Sequence, residues 1–382
     1  MFRLFLRFIG GVLNRGVPCL LRYSAVGMQN QISACLACPR RRTPRVGVQG
    51  HGTRRRLTFV LAIILVAGLA NAAKTADDAP TQSVGIEQGA LSAIFRDNSK
   101  SPRVLSGVDA LFNTDVAPGF DAFDPVGRGA SAGLNFEHII SGHANPANMF
   151  TPQHGKYDLR RLSGGASVQL VRRAEDEPWK VASTFTYTVT KPHYIDVDFR
   201  AIAQDAAVFG PRGYAVFFFA NHMNDVDDVS LHFRGVEAAG GEEKWIAADA
   251  PPGHQDYNGG GTYSADQASP LAYDEDHNFK LNMWSYGYPR FTQPFYYGRA
   301  ANDMTCIMMF DRAHTPEDEI RFSLFKFKLP RAPRPAWDWQ YVIHRVETGR
   351  EYGFRARLVW KRFVSPEDCL AEYQRWSAGL KE

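Results

Sequence analysis

Residues 183–201 read STFTYTVTKPHYIDVDFRA, and their alternation limits the chain more than any other feature. Phe185, Tyr187 and Val189 share one side, with threonines on the other. After the turn signal Lys191-Pro192, Ile195, Val197, Phe199 and Ala201 oppose Asp196, Asp198 and Arg200. A period of two places these sets on opposite faces of strands, so the segment predicts a hairpin with one dry and one wet face. Further strands are expected at GLNFEHII, ASVQLVRR, YAVFFFA, VSLHFRGV, FKLNMWS, TCIMMF, IRFSLFKFK, WQYVIH and GFRARLVWKRF. Many short strands with turn signals between them, no repeat and almost no helical periodicity predict an all-β fold, a large antiparallel β-sandwich.

One helix is expected, over 366–379 in SPEDCLAEYQRW and beyond. Ser365 stands as N-cap, Pro366 at the first helical position and Asp368 at the third, a variant of the capping box. Leu370, Tyr373 and Trp376 then share the face that would pack on the sandwich.

Charge divides the chain. Residues 1–72 hold eleven arginines and no lysine, aspartate or glutamate, which leaves 33 basic against 40 acidic residues in the remainder. That remainder is mildly acidic and shows no basic stripe, which argues against a nucleic-acid partner. Arg54–Arg56, the apolar run Leu57–Leu69 and Ala70-Asn71-Ala72 follow the order of a secretory signal peptide, 54–72, with cleavage near Ala72. Its apolar run is shorter than the ~20 residues a spanning helix needs, and no second such run follows, so multi-span membrane insertion is not expected. Residues 1–53 read as a leader extension or as the product of a translation start set too early, 73–103 as a linker, and 104–382 as a single domain. The protein is expected to be exported, periplasmic or extracellular. Beyond the leader only Cys306 and Cys369 remain, which export would allow to pair, although the apolar run MTCIMMF suits a buried thiol at Cys306 equally.

Two segments draw attention as chemistry. FFFANHMNDVDDVSLHF, 217–233, passes at once from buried-strand aromatics to Asn221, His222, Asp225, Asp227, Asp228 and His232. It reads either as a solvated hairpin or as the rim of a site. Its Asn224, Asp225, Asp227 and Asp228 offer hard oxygen ligands of the kind calcium takes, without the glycine and distal glutamate of an EF-hand loop. HNFKLNMWSYGYPRFTQPFYYGR, 277–299, carries Trp284, Tyr296, Tyr297 and Arg299 among other rings. Flat aromatic faces stack on the C–H faces of sugars while hydroxyls and arginines bind their polar groups, so this segment predicts a carbohydrate ligand unless its rings fill the core. In HGKYDLRR, Arg160 lies close to His154 and would suit an acidic sugar.

The Ala220-Asn221-His222 segment after an aromatic strand resembles the Asn-His segment of the galactose mutarotase-like proteins. VETG, 346–349, resembles the strand where that family keeps a catalytic glutamate before Thr-Gly. The resemblance implies a supersandwich with a sugar-facing cleft, His222 as the acid at the ring oxygen and Glu347 as its catalytic partner. Proton transfer at a sugar needs an acid and a base on opposite sides of the reacting atoms. Two rivals stay open: a β-sandwich lyase acting on uronic-acid polymers, with Tyr297 and Arg299 or His154 and Arg160 as its groups, and a non-catalytic surface or matrix adhesion protein.

Overall fold

The computed structural model describes residues 82–97, 106–123, 133–142, 150–249, 259–266, 268, 271, 282–283, 287–311, 318–327 and 334–380. They lie in the unit Leu69–Glu382, and the leader and signal segment fall outside the described residues. The first of them are already in strands, β1 (Ser83–Gln88) and β2 (Leu91–Arg96). For residues 82–97 this corrects the expectation of a linker over 73–103. Val84 and Ile86, then Leu91, Ala93 and Phe95, alternate into the core. The turn between them runs through Gly89 at φ 60°, a conformation open to glycine without steric cost.

The remaining elements are β3 (Gly107–Asn113), β4 (Gly133–Ile140), the helical turn α1 (Thr151–His154), β5 (Asp158–Arg161), β6 (Ser167–Arg172), β7 (Val181–Thr190) and β8 (Tyr194–Ala203). Next come β9 (Ala215–His222), β10 (Leu231–Val236), β11 (Lys244–Ala248), β12 (Gly259–Tyr263), β13 (Asn282–Met283), β14 (Arg290–Phe291) and β15 (Phe295–Ala300). The chain closes with β16 (Met304–Asp311), β17 (Glu319–Phe327), β18 (Arg334–Ile343), β19 (Glu351–Arg362) and α2 (Pro366–Gly379). They form two sheets. The first has nine strands in the order β1-β2-β3-β4-β9-β18-β17-β12-β13. The second has ten, β11-β10-β15-β16-β19-β8-β7-β6-β5, with β14 beside β10. The fold is an all-β sandwich with one C-terminal helix, as the alternation predicts.

The inward faces meet in an aromatic core. Phe219 touches Phe136, Phe185, Phe199, Trp339 and Phe354 with centroids 5.0–5.7 Å apart, within the usual range for ring pairs. On the second sheet the outward face of β7 and β8 is wet, so those strands read cleanly as alternating. On the first sheet β9 is buried along its whole length, and β18 from Pro335 to Ile343. A strand covered on both faces reads as a continuous apolar run, which is why FFFA carries no alternation.

The helix forms as expected over 366–379, and the Asp368 N–H donates to Ser365 Oγ at 3.2 Å. It covers the outer face of the second sheet, where Cys369 and Trp376 join Phe295, Tyr297, Ile307, Met309 and Val359. Glu372 fastens it: Tyr194 Oη donates to Oε2 at 2.8 Å and Lys361 Nζ to Oε1 at 2.7 Å. Removing the cap by Ser365→Ala is expected to cost about 1 kcal/mol. Urea unfolding that shows no loss would mean these tertiary contacts hold the helix start alone. Cys306 and Cys369 are both free and buried, one between the sheets and the other on the sheet-facing side of α2.

Candidate functional site

The outer face of the first sheet collects polar side chains that are not exposed. Alternation decides which ones: Trp337, Trp339, Tyr341 and Ile343 of β18 enter the inter-sheet core, so Ala336, Asp338 and Gln340 point outward beside Val342. On β9, Phe217 and Phe219 point inward, and Phe218, Ala220 and His222 outward. On β17, Phe322 and Leu324 point inward, and Arg321 and Ser323 outward. The register aligns these positions in rows across the strands. One row runs His138, Phe218, Gln340, Arg321, and the next Asn135, Ala220, Asp338, Ser323. The third holds Gly133, His222 and Ala336. Small side chains at Ala220 and Ala336 keep the floor between His222 and Asp338 low.

An irregularity in β4 brings a carboxylate into this grid. The register with β9 shifts between Phe136 and His138, and Glu137 occupies the extra position, as in a β-bulge. Its Oε2 lies 3.0 Å from His138 Nδ1 and its Oε1 3.5 Å from His222 Nε2. The His138 ring stacks on Phe218 at 4.5 Å, which holds it in place. Glu137 is 14% exposed, His138 0% and His222 8% at their side chains. Burial alone would raise the Glu137 carboxyl, but the contacts with His138 and His222 outweigh it and hold it down at about 2. Asp338 goes the other way. Burial, reinforced by the charge on Glu137, pushes its carboxyl well above the carboxylate range, against the one backbone hydrogen bond that Asn221 N–H donates to Oδ1 at 2.8 Å. One face therefore carries a carboxyl held low beside a histidine pair and, on a nearby strand, a second carboxyl pushed up by burial. That is the combination in which one group accepts and another donates a proton at neutral pH.

Of the sequence-predicted residues whose side chains are described, His222 alone lies on this face. Asn221, one position earlier, turns inward, where its Nδ2 lies 3.7 Å from Cys306 Sγ. Its side chain is thus part of the core and not of a ligand surface, because neighbours on a strand face opposite ways. Glu347 is not brought to His222. His222 pairs with Ala336 and Ala215 with Ile343, so Glu347 lies beyond the far end of β18, more than about 23 Å along the strand. There it is 58% exposed in a turn, paired with Arg350 at 2.8 Å, its N–H donating to Tyr352 Oη.

The aromatic-rich segment serves the second sheet instead. Tyr296 is fully buried between the sheets and donates to the Trp337 carbonyl at 2.6 Å, so it fills the core. Tyr297 faces the other way but is covered by the α2 layer, and burial raises its phenol far above the usual range. Trp284 lies outside the described residues, as does the side chain of His154. Around Tyr297 a second group does assemble. His232 stacks on it at 4.8 Å and pairs with Asp228 at 2.8 Å, while Arg299 lies over Phe363 at 4.5 Å and 3.7 Å from Asp227. Burial pushes His232 below its ordinary value in spite of Asp228. Arg160 lies on β5, at the opposite edge of that sheet. The described residues of the segments 217–233 and 277–299 are therefore divided between the two outer faces and the core, with the thickness of the sandwich between His222 and Tyr297.

Among the described residues no three histidine, cysteine or acidic side chains stand together as a metal site would require. Asp225 Oδ1 accepts from Val226 N–H, and Asp228 is engaged by Ser230 N–H and His232. Glu137, His138, Asp338, Gln340 and Arg321 were not singled out in the sequence. The available signals were a Glu-His pair inside GLNFEHII and an Asp between two tryptophans in AWDWQ.

Two clefts of about 470 and 270 Å³ lie elsewhere. The larger is bordered by Asn113, Lys191, His193, Lys361 and Arg362, and the smaller by Thr186, Asp196, Arg357 and Trp376. Among the described residues no helix is long and apolar enough to cross a membrane.

No protein-family model matches the chain, and no curated protein matches it. Solved structures similar to it include members of the family that the Asn-His and Glu-Thr-Gly segments resemble. The GalM/aldose epimerase homologue from C. elegans is 11% identical at a TM-score of 0.39, with 74% of this chain and 99% of that one covered. The galactose 1-epimerase from Lactobacillus acidophilus NCFM is 8% identical at 0.39, with 74% and 95% covered. A heparan sulfate lyase HepC mutant from Pedobacter heparinus is 8% identical at 0.40, with 77% of this chain and 38% of the lyase covered. This chain thus spans little more than a third of that enzyme. At these TM-scores the site is read from its own residues.

Proposed function

We propose that the outer face of the first sheet binds and processes carbohydrate by acid–base chemistry, in a protein exported by the segment 54–72. The observation that carries this reading is the gathering of Glu137, His222 and Asp338 on one face of neighbouring strands, with the two carboxyl groups displaced in opposite directions, Glu137 downward and Asp338 upward. Glu137 Oε1 stands 3.5 Å from His222 Nε2 and orients its ring, so His222 and Asp338 form the acid–base pair of this face. A sugar suits these groups because its ring oxygen and hydroxyls both accept and donate protons. The pair Glu137–His222 replaces Glu347 as the carboxylate partner inferred from the family resemblance.

The test uses the chain from residue 73 onward, with D-galactose, D-glucuronate and heparan sulfate oligosaccharides as probes. Calorimetry reads binding, polarimetry reads anomer exchange, and absorbance of an unsaturated product reads elimination. Asp338→Asn keeps the shape and the bond from Asn221 N–H but removes the titrating proton. It is expected to lower turnover about 100-fold with little change in KM, the usual scale for one general acid. Absence of both binding and conversion for every probe would overturn the proposal and favour the adhesion reading.

A further inference from the structure

Gln340 stands in the middle of the same face, in the row between Phe218 and Arg321. It is 0% exposed, and neither its Oε1 nor its Nε2 has a hydrogen-bond partner. Its neighbours are differently placed. Arg321 donates through Nε to Glu319 Oε1 at 2.9 Å, and Asp338 accepts from Asn221 N–H. A buried amide with both ends unmatched is destabilising, and a methionine of similar length would fill the position without that cost. Buried polar groups are otherwise nearly always paired, so the exception needs a reason.

We infer that Gln340 is the specificity residue of this face, its amide accepting from one hydroxyl of the ligand through Oε1 and donating to the adjacent hydroxyl through Nε2. The carbonyl oxygen and the NH2 group sit side by side on one planar amide, so they match two neighbouring oxygens of which one gives and one takes a hydrogen. A vicinal diol on a pyranose ring presents that pair, and a lone hydroxyl or a carboxylate does not. Phe218, adjacent on β9, stands between the amide and His138, while Asp338 is the next outward side chain along β18 and His222 lies one row beyond it. A diol held by Gln340 therefore orients the ring towards His222 and Asp338. This inference rests on the reading that the face takes carbohydrate, and it adds which ligand atoms are read and by which residue.

The experiment compares the parent with Gln340→Met, using thermal unfolding for stability and calorimetry with D-galactose and D-glucuronate for binding. The expected result is a variant that melts higher than the parent, because the orphaned amide is gone, yet binds whichever probe the parent binds at least about ten-fold more weakly. A variant that melts higher and binds equally well would overturn the role of Gln340 and leave the carbohydrate reading standing. A parent that binds neither probe would overturn both. Should the variant fail to fold, deoxy analogues of the bound probe decide the matter on the parent protein. Two analogues lacking neighbouring hydroxyls are expected to lose at least ten-fold each, and analogues that all bind like the complete sugar would overturn the inference.

Discussion

A Glu137→Gln variant will be less stable than its parent by about 3 kcal/mol near pH 6, and the difference will close as the pH falls towards 2. The sign follows from the direction of the shift. A carboxyl held at about 2 in the folded protein, against 4.5 for the group in its ordinary state, binds its proton less readily folded than unfolded. Its contribution is complete above about 4.5 and is lost as the pH drops through the folded value. A displacement of that size corresponds to about 3 kcal/mol at ~1.4 kcal/mol per tenfold change in proton affinity. The glutamine cannot ionise, and it removes the carboxylate from beside His138 and His222. Urea unfolding of both proteins from pH 6 to pH 2 reads the effect. Two stability curves that stay parallel over this range would show that Glu137 is not held by the histidines.

Phe219→Ala should cause the largest loss from a change remote from the charged groups. Five aromatic rings meet Phe219, two from the second sheet's β7 and β8 and one from its β19, so its removal opens a cavity where both sheets converge. Truncation of a buried phenylalanine costs about 3–5 kcal/mol, because lost burial and the remaining void add. In a chain of this size the melting temperature should fall by roughly 10 °C. A loss under about 1 kcal/mol would mean that the neighbouring rings collapse into the space, and that the two sheets are held together elsewhere.

What could be read in advance depended on how many faces of a strand are wet. At β7 and β8 the polar side of each strand meets water, so composition and position agree, and Phe185 to Ala201 announce both strands and the side that enters the core. At β1 and β2 the same pattern is present but brief, and the polar residues around it read as a linker. At β9 both faces are covered, so FFFANH reports burial without reporting direction. His222 could be noticed there as an unusual residue. Its partner could not, because Glu137 lies 85 positions earlier in sequence and reaches it only through the register shift in β4.

The same limit explains the misplacement of the aromatic segment. Tyr296 and Tyr297 are consecutive and chemically alike, yet one seals the space between the sheets and the other lies beneath the C-terminal helix. Neither environment is encoded near them: the first is supplied by Trp337 and the second by Phe363 and the α2 layer.

The strand-dominated class, the terminal helix with its Ser365 cap and the place of His222 at the end of an apolar strand all follow from residue order. Those features depend on side-chain period and on bonds between residues a few positions apart. Only the tertiary structure decided that Glu137, His222, Asp338 and Gln340 share one face. That grouping depends on which strands lie side by side and in what register, and strand pairing joins residues that are far apart in the chain.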